Sequence, residues 1–226
     1  MIADTKIEPQ VDWQEIDTVL LDMDGTLLDK YFDDYFWEEH IPEVYARQNN
    51  ISIFTAEEEL LAKYKEVEGN LQWTDLDFWS EKLDLDIEKL KEEVNHMINV
   101  HPYVPEFLDY CRSLGKKIML VTNAHPKTLK IKMKKTKLQD YFDEIVCADE
   151  IGLAKEQDGF WQKLSEKYGF DKERTLLADD NDAVLKSGEK FGIKKLVYVS
   201  KSSTMLPVCH SKTYPSIIFF KELMDE

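Results

Sequence analysis

The chain has 226 residues, 43% of them hydrophobic, which is enough for one large domain or one domain with an insertion. Its 45 Asp and Glu residues outnumber its 29 Lys and Arg residues, and the formal charge of −16 repels nucleic acid and anionic membranes within a Debye length. Polymeric nucleic acid is therefore disfavoured as a partner. A small anion is compatible with this charge where a metal ion and local donors reverse the field.

The first ten residues, MIADTKIEPQ, contain no apolar stretch of signal-peptide length, and no segment approaches the roughly 20 apolar residues of a membrane span. Cys111, Cys147 and Cys209 are far apart, form no CxxC motif and occupy apolar positions, so we expect reduced thiols in the core. The expected compartment is the cytoplasm, with no membrane partner.

The segment VLLDMDGTLLD, residues 19–29, is typical of a buried strand that stops at a polar site. Asp22 and Asp24 point the same way while the chain is extended, and Gly25 lets the backbone turn away. A carboxylate can attack phosphorus while its neighbour transfers protons, so a nucleophile and an acid/base are both available. An ordinary turn at a strand end also favours acids and glycine.

Helical spacing dominates residues 30–100, where Leu76, Trp79 and Leu83 share one face, and this predicts a helical insertion. Beyond His101, helical stripes alternate with short apolar strands, and with the first strand these predict a five-stranded parallel sheet with helices on both faces. The segment SIIFF near the C-terminus either docks on this sheet or forms a subunit contact. The four later strands are predicted at residues 116–121, 144–148, 174–178 and 195–199.

Polar residues end these strands, and the carboxyl ends of parallel strands share one edge of the sheet, where ligands bind. Aspartates from two strand ends can hold Mg²⁺, and a threonine hydroxyl, helix N-terminal amides and a lysine are donors for a phosphoryl group. Individually, each is equally explained as a helix cap or a solvated loop charge. The residues are Asp22 and Asp24, Thr122 and Asn123, Asp179 and Asp180, and Lys155 from the loop after the third strand.

Four segments, VLLDMDGT, VTN, the Lys155 of GLAKEQ and TLLADD, resemble the four ordered motifs of the haloacid dehalogenase-like (HAD) hydrolases, across the whole chain. The resemblance implies a three-layer Rossmann-like core, residues 1–29 and 101–226, and a first-type helical cap, residues 30–100. It implies that Asp22 is the nucleophile and Asp24 the acid/base. It further implies that the substrate is bound by Thr122, Asn123 and Lys155, and that Mg²⁺ is held by Asp22, the Asp24 carbonyl and Asp180.

One position departs from the family pattern. Many members carry a further acid where this chain has Val184, and either Asp179 or Asp182 would have to substitute for it. The acid at position 24 favours a phosphatase over a dehalogenase, because halide leaves without a proton and an ester oxygen needs one.

The segments FDDYFW (32–37), LQWTDLDFWSEKLDLDI (71–87) and TNAHP (122–126) resemble the bacterial GMP/IMP nucleotidase subfamily, which implies hydrolysis of purine nucleoside 5′-monophosphates. Trp37, Trp73 and Trp79 either offer a face on which a purine stacks or form the core of the cap. The six lysines between Lys127 and Lys137 either steer phosphate or form a solvated helix face.

Other substrates fit the same site, and a sugar-phosphate phosphatase, a phosphoglycolate phosphatase or a phosphomutase is the alternative. A binding protein without turnover is disfavoured because no motif residue is missing. The partner is a small phosphorylated metabolite in each enzymatic case, and the sequence leaves monomer and homodimer open.

Overall fold

The computed structural model describes residues 6–67 and 71–225. Their strands form one parallel sheet in the order β3-β2-β1-β4-β5-β6, which confirms the predicted α/β class. The predicted number of five strands is wrong, because the last strand has only two residues and is too short to show an apolar pattern. The strands are β1 (Thr18–Leu21), β2 (Lys117–Thr122), β3 (Glu144–Cys147), β4 (Thr175–Asp179), β5 (Lys195–Val199) and β6 (Ser216–Ile217).

Helices α1 to α6 lie between β1 and β2 in sequence, and α7 to α9 alternate with the later strands. A π-helical turn, Phe36–His40, joins α1 to α2. The division into a core and a cap at residues 30 and 100 stays a prediction. The helices are α1 (Tyr31–Tyr35), α2 (Ile41–Asn49), α3 (Ile53–Val67), α4 (Leu76–Leu83), α5 (Ile87–Glu93), α6 (Val104–Ser113), α7 (Pro126–Thr136), α8 (Phe160–Tyr168) and α9 (Asp182–Phe191).

The sheet is covered on both faces. Val19 and Leu21 of β1 face one hydrophobic cluster, which includes Phe107 of α6, while Leu20 faces a second cluster that includes Phe160 of α8. This alternation follows from the period of two along a strand, and a parallel sheet buried on both faces explains why β1 reads as an unbroken apolar run.

The strand register brings the polar strand ends together. Leu21 of β1 pairs with Leu120 of β2 on one side and with Ala178 of β4 on the other. The next residue, Asp22, donates its backbone N–H to the Ala178 carbonyl at 3.1 Å. Asp179 therefore lies beside Asp22 at the carboxyl edge, where the strand order reverses around β1.

The two ends of the segment that contains α1 to α5 meet beside the turn after β1. Leu28 forms an antiparallel bridge with Val100, and the Asp29 N–H donates to the Asn99 carbonyl at 3.0 Å. The Asp29 carboxylate also accepts from the hydroxyl of Thr204 at 2.6 Å. These bonds hold the two ends of the segment that contains α1 to α5 beside the β1 turn.

The C-terminal segment docks on the core. β6 pairs with β5, and the Phe220 ring stacks on Phe107 with centroids 4.5 Å apart. SIIFF thus docks on the sheet, and the subunit contact stays a prediction. Within the described ranges, no helix is long and apolar enough to cross a membrane.

Two of the three cysteines are core residues. Cys111 and Cys147 are buried, and burial raises the pKa of each thiol to about 12. The expectation for Cys209 is wrong, because it lies exposed in the loop between β5 and β6.

Candidate active site

The turn after β1 brings the backbone against the end of β4. Gly25 has a φ of +87°, and its N–H donates to the Leu28 carbonyl at 2.7 Å. A Cβ at this position would lie 2.2 Å from Oδ2 of Asp180. Only glycine combines this conformation with so close an approach, so the turn and the Asp180 carboxylate depend on each other.

Three carboxylates meet at this edge. Oxygen atoms of Asp22, Asp179 and Asp180 lie within 4.8 Å of one another. Nζ of Lys155 binds Asp22 and also donates to Asp179 at 2.7 Å. The lysine and both acids are buried. Burial raises the pKa of Asp179 to about 7, although the Lys155 charge opposes the shift. One lysine therefore partly neutralises three crowded acids.

Asp180 is the acid without a cation. Among the described residues none forms a salt bridge with it, and burial, followed by the charges of Asp179 and Asp22, raises its pKa well above the ordinary value. Hard oxygen donors in this arrangement are the ligands that Mg²⁺ prefers. The carboxylates of Asp22 and Asp180 thus fit a bound divalent ion, which would relieve their repulsion.

The Asp24 carboxylate binds a different lysine from the one that binds Asp22 and Asp179. Its Oδ1 accepts from Nζ of Lys132 at 2.5 Å, and its side chain is 23% exposed. Burial raises the pKa of Asp24 to about 6, with Lys132 opposing and the charges of Asp33 and Asp22 adding to the shift. A carboxyl group with this pKa can both give and take a proton near neutral pH.

The β2 end holds the Lys155 loop. The side-chain oxygen of Asn123 accepts from the Lys155 N–H at 2.9 Å, and its amide nitrogen donates to Glu156 at 2.9 Å. The Thr122 oxygen accepts from the Ala124 N–H at 3.0 Å, which leaves its hydroxyl hydrogen available. Asn123 therefore orients Lys155, and Thr122 lines the same cavity.

The structure separates the two acids that could replace the family residue missing at Val184. Asp179 lies within the cluster, whereas Asp182 is exposed and accepts from the hydroxyl of Ser211 at 2.6 Å. Val184 itself is buried at the cavity wall. Of the two candidates, only Asp179 contacts the site.

A cavity of about 990 Å³ opens over these groups, with the strand ends on one side and the helices between β1 and β2 on the other. Trp37, Tyr64 and Trp73 line the second side. Trp73 is 40% exposed and packs edge-on against Tyr64 and Trp79, whereas Trp79 is only 1% exposed. Of the three tryptophans, Trp79 is core and Trp73 presents the most open ring.

Four of the six lysines between Lys127 and Lys137 are exposed, and the other two, Lys127 and Lys132, contact acids outside α7. Lys127 pairs with Asp77 and lies 3.3 Å from Glu88, both in the segment between β1 and β2. Lys132 is 1% exposed and binds Asp24 and Asp33. These lysines tie α7 to the preceding helices.

Sequence reasoning missed Lys132, its partner Asp33, and Lys91, which binds the other oxygen of Asp33. Lys132 was indistinguishable from five neighbouring lysines, although its place between the buried Ile131 and Met133 was a faint signal. Asp33 belongs to the segment FDDYFW, whose resemblance to the nucleotidase subfamily assigns no role to this residue.

Comparison with known proteins agrees with this geometry. Residues 16–192 match the family model described as haloacid dehalogenase-like hydrolase. The chain is 35% identical over 212 residues to the GMP/IMP nucleotidase YrfG of Escherichia coli K12, and the match covers 94% of this chain and 96% of that protein.

Solved structures share the fold. A HAD phosphatase from Thermococcus onnurineus superposes with a TM-score of 0.77 at 25% identity, covering 92% of this chain and 96% of that one. L-2-haloacid dehalogenase from Xanthobacter autotrophicus, with covalently bound chloropropionic acid, gives a TM-score of 0.59 at 15% identity with the same coverage of both chains. The second likeness concerns the fold alone.

Proposed function

Because this chain belongs to the haloacid dehalogenase-like hydrolases, we propose that it is a magnesium-dependent phosphatase of purine nucleoside 5′-monophosphates such as GMP and IMP. The resemblance of its four motifs to this family is thereby confirmed. The identity to a GMP/IMP nucleotidase over nearly the full length of both chains supports the nucleotide substrate.

The observation that carries the proposal is the convergence at the end of β1. Asp22, Lys155 and Asp180 come from three distant segments and line one cavity with Asp24. An anionic carboxylate beside a lysine can accept a phosphoryl group, because the cation offsets the repulsion between two anions.

We propose the following reaction for these residues. Asp22 attacks phosphorus, an O–P bond forms to its carboxylate, and the bond from phosphorus to the 5′ oxygen breaks. Asp24 donates its proton to the departing oxygen and then accepts one from the water that hydrolyses the aspartyl-phosphate. Lys155 and Thr122 donate hydrogen bonds to the phosphoryl oxygens, with Asn123 holding the Lys155 loop.

A divalent ion completes the charge balance. We propose that Asp22, the backbone carbonyl of Asp24 and Asp180 hold Mg²⁺. The ion, when bound, neutralises negative charge on the phosphoryl oxygens, which is the main source of rate enhancement in phosphoryl transfer.

Residues 30–100 act as the cap that covers the leaving group. The open ring of Trp73 at the cavity wall supports stacking with a purine, and base stacking on an aromatic side chain contributes about 1–3 kcal/mol in other systems. Asp75 and Asp77, whose carboxylates could accept hydrogen bonds from a base, already have partners within the protein. Asp75 caps α4, and Asp77 pairs with Lys127.

Phosphate release from a substrate panel tests the proposal. GMP and IMP should be hydrolysed in Mg²⁺ and not after chelation, and should be preferred over AMP, sugar phosphates and phosphoglycolate. Asp22→Asn should abolish turnover and keep the fold. Preference for a sugar phosphate or for phosphoglycolate would overturn the nucleotide assignment, and substantial activity in Asp22→Asn would overturn the nucleophile.

A further inference from the structure

A buried chain of alternating charges connects Asp24 to the helices between β1 and β2. Nζ of Lys132, from α7, donates to Asp24 at 2.5 Å and also binds Oδ2 of Asp33 in α1. The other oxygen of Asp33 accepts from Nζ of Lys91 in α5 at 2.8 Å. Two carboxylates and two ammonium groups thus alternate across the interface between α7 and the preceding helices.

Both lysines are almost completely buried. The side chains of Lys132 and Lys91 are 1% and 2% exposed. Lysine is rarely buried without a partner, and removing one partner from such a pair leaves an uncompensated charge. The buried charge of Lys132 therefore depends on Asp24 and Asp33 for its compensation.

Lys91 extends the chain to the cavity wall. Its Nζ lies 4.9 Å from the Phe32 ring centroid, 4.6 Å from that of Phe36 and 5.6 Å from that of Trp37. Trp37 lines the cavity opposite the catalytic edge. The four charged groups consequently link the wall proposed to hold the leaving group to the acid that would protonate it.

We propose that Lys132 is a positioning residue for Asp24 and that Asp33 holds Lys132 in place, so that proton transfer to the leaving group depends on the docked position of α1. This inference rests on the proposed function. Within the described ranges, Lys132 provides the only side-chain hydrogen bond to the carboxylate of Asp24, which directly precedes the turn after β1.

Two substrates with different leaving groups distinguish a positioning role of Lys132 from a merely structural one. A nucleoside 5′ oxygen leaves only with a proton, whereas p-nitrophenolate is a stable anion that leaves without one. The ratio of kcat/KM for GMP to kcat/KM for p-nitrophenyl phosphate reports the acid step, because loss of folded enzyme lowers both values by the same factor. Lys132→Met should lower this ratio about tenfold or more, within the range known for general acids.

Asp33→Asn should lower the same ratio by a smaller factor, because Lys132 keeps its bond to Asp24 but loses its second anchor. Lys127→Met is the matched control. Lys127 also lies on α7 and pairs with acids of the preceding helices, but it does not contact Asp24. This variant should leave the ratio unchanged.

The double variant Lys132→Met/Asp33→Asn removes one charge of each sign and tests the inference should Lys132→Met fail to fold. An unchanged ratio in every folded variant would overturn the inference, as would an equal change in Lys127→Met. Failure of the proposed function is distinct, because wild-type enzyme would then leave GMP and IMP intact. The ratio is in that case measured with the best alkyl phosphate of the panel.

Discussion

Lys155→Met is the most informative perturbation of the site, because Lys155 is the cation shared by two buried acids. Its side chain is 3% exposed, and those of Asp22 and Asp179 are 8% and 1% exposed. Methionine has a similar length and no charge, so the substitution removes the ammonium group and little volume. Asp22 and Asp179 would then lie together with no cation bound to either.

The expected cost follows from this burial. Breaking a buried ion pair by removing one partner costs about 3–5 kcal/mol. For a protein of this size each kcal/mol lowers Tm by about 2–4 °C, so a fall of about 6–20 °C is expected. Mg²⁺ should reduce the difference in Tm between Lys155→Met and wild type, because the ion supplies positive charge to the same acids.

Thermal unfolding in EDTA and in Mg²⁺ measures both effects. Asp179→Asn in the Lys155→Met background is the control, and it should regain part of the lost stability because it removes one of the unpaired carboxylates. The reasoning would be refuted by a Lys155→Met variant whose Tm lies within about 2 °C of wild type in EDTA, or by a double variant less stable than the single one.

Three further predictions concern the turn, the cap and the thiols. Gly25→Ala should abolish phosphate release, because the new Cβ displaces the Asp180 carboxylate. The left-handed backbone at this position should also lower the free energy of unfolding by about 1–2 kcal/mol. Full activity in this variant would contradict the close approach of Gly25 to Asp180. Trp73→Ala should raise the KM for GMP by about fivefold or more and leave that for p-nitrophenyl phosphate unchanged, and equal changes for both would argue against stacking. Ellman's reagent should label Cys209 at once and the two buried thiols only after unfolding, since their raised pKa and burial suppress the thiolate. Rapid labelling of all three in the native protein would contradict the described burial.

The polar carboxyl edge of the sheet was predictable because its signals are local. An apolar strand followed by acids and glycine identifies Asp22 and Asp24 without knowledge of their neighbours, and the parallel sheet then brings Lys155 and Asp180 to the same edge. Asp179 was one of two open candidates, since spacing along the chain does not tell which acid faces inward.

The interface between α7 and the earlier helices was not predictable in this way. Lys132 and Asp33 are 99 positions apart, and only tertiary packing selects one lysine of six to be buried. Periodicity likewise placed Trp73 and Trp79 in one helical region without distinguishing the open ring from the core ring.

A crystal structure of the enzyme with Mg²⁺ and beryllium fluoride, a mimic of the phosphoryl group on aspartate, tests the central claim most directly. The beryllium should be bonded to the Asp22 carboxylate, with Mg²⁺ held beside it by Asp22, Asp180 and the Asp24 carbonyl. Beryllium on any other residue, or the metal ion bound away from Asp22, would contradict the account.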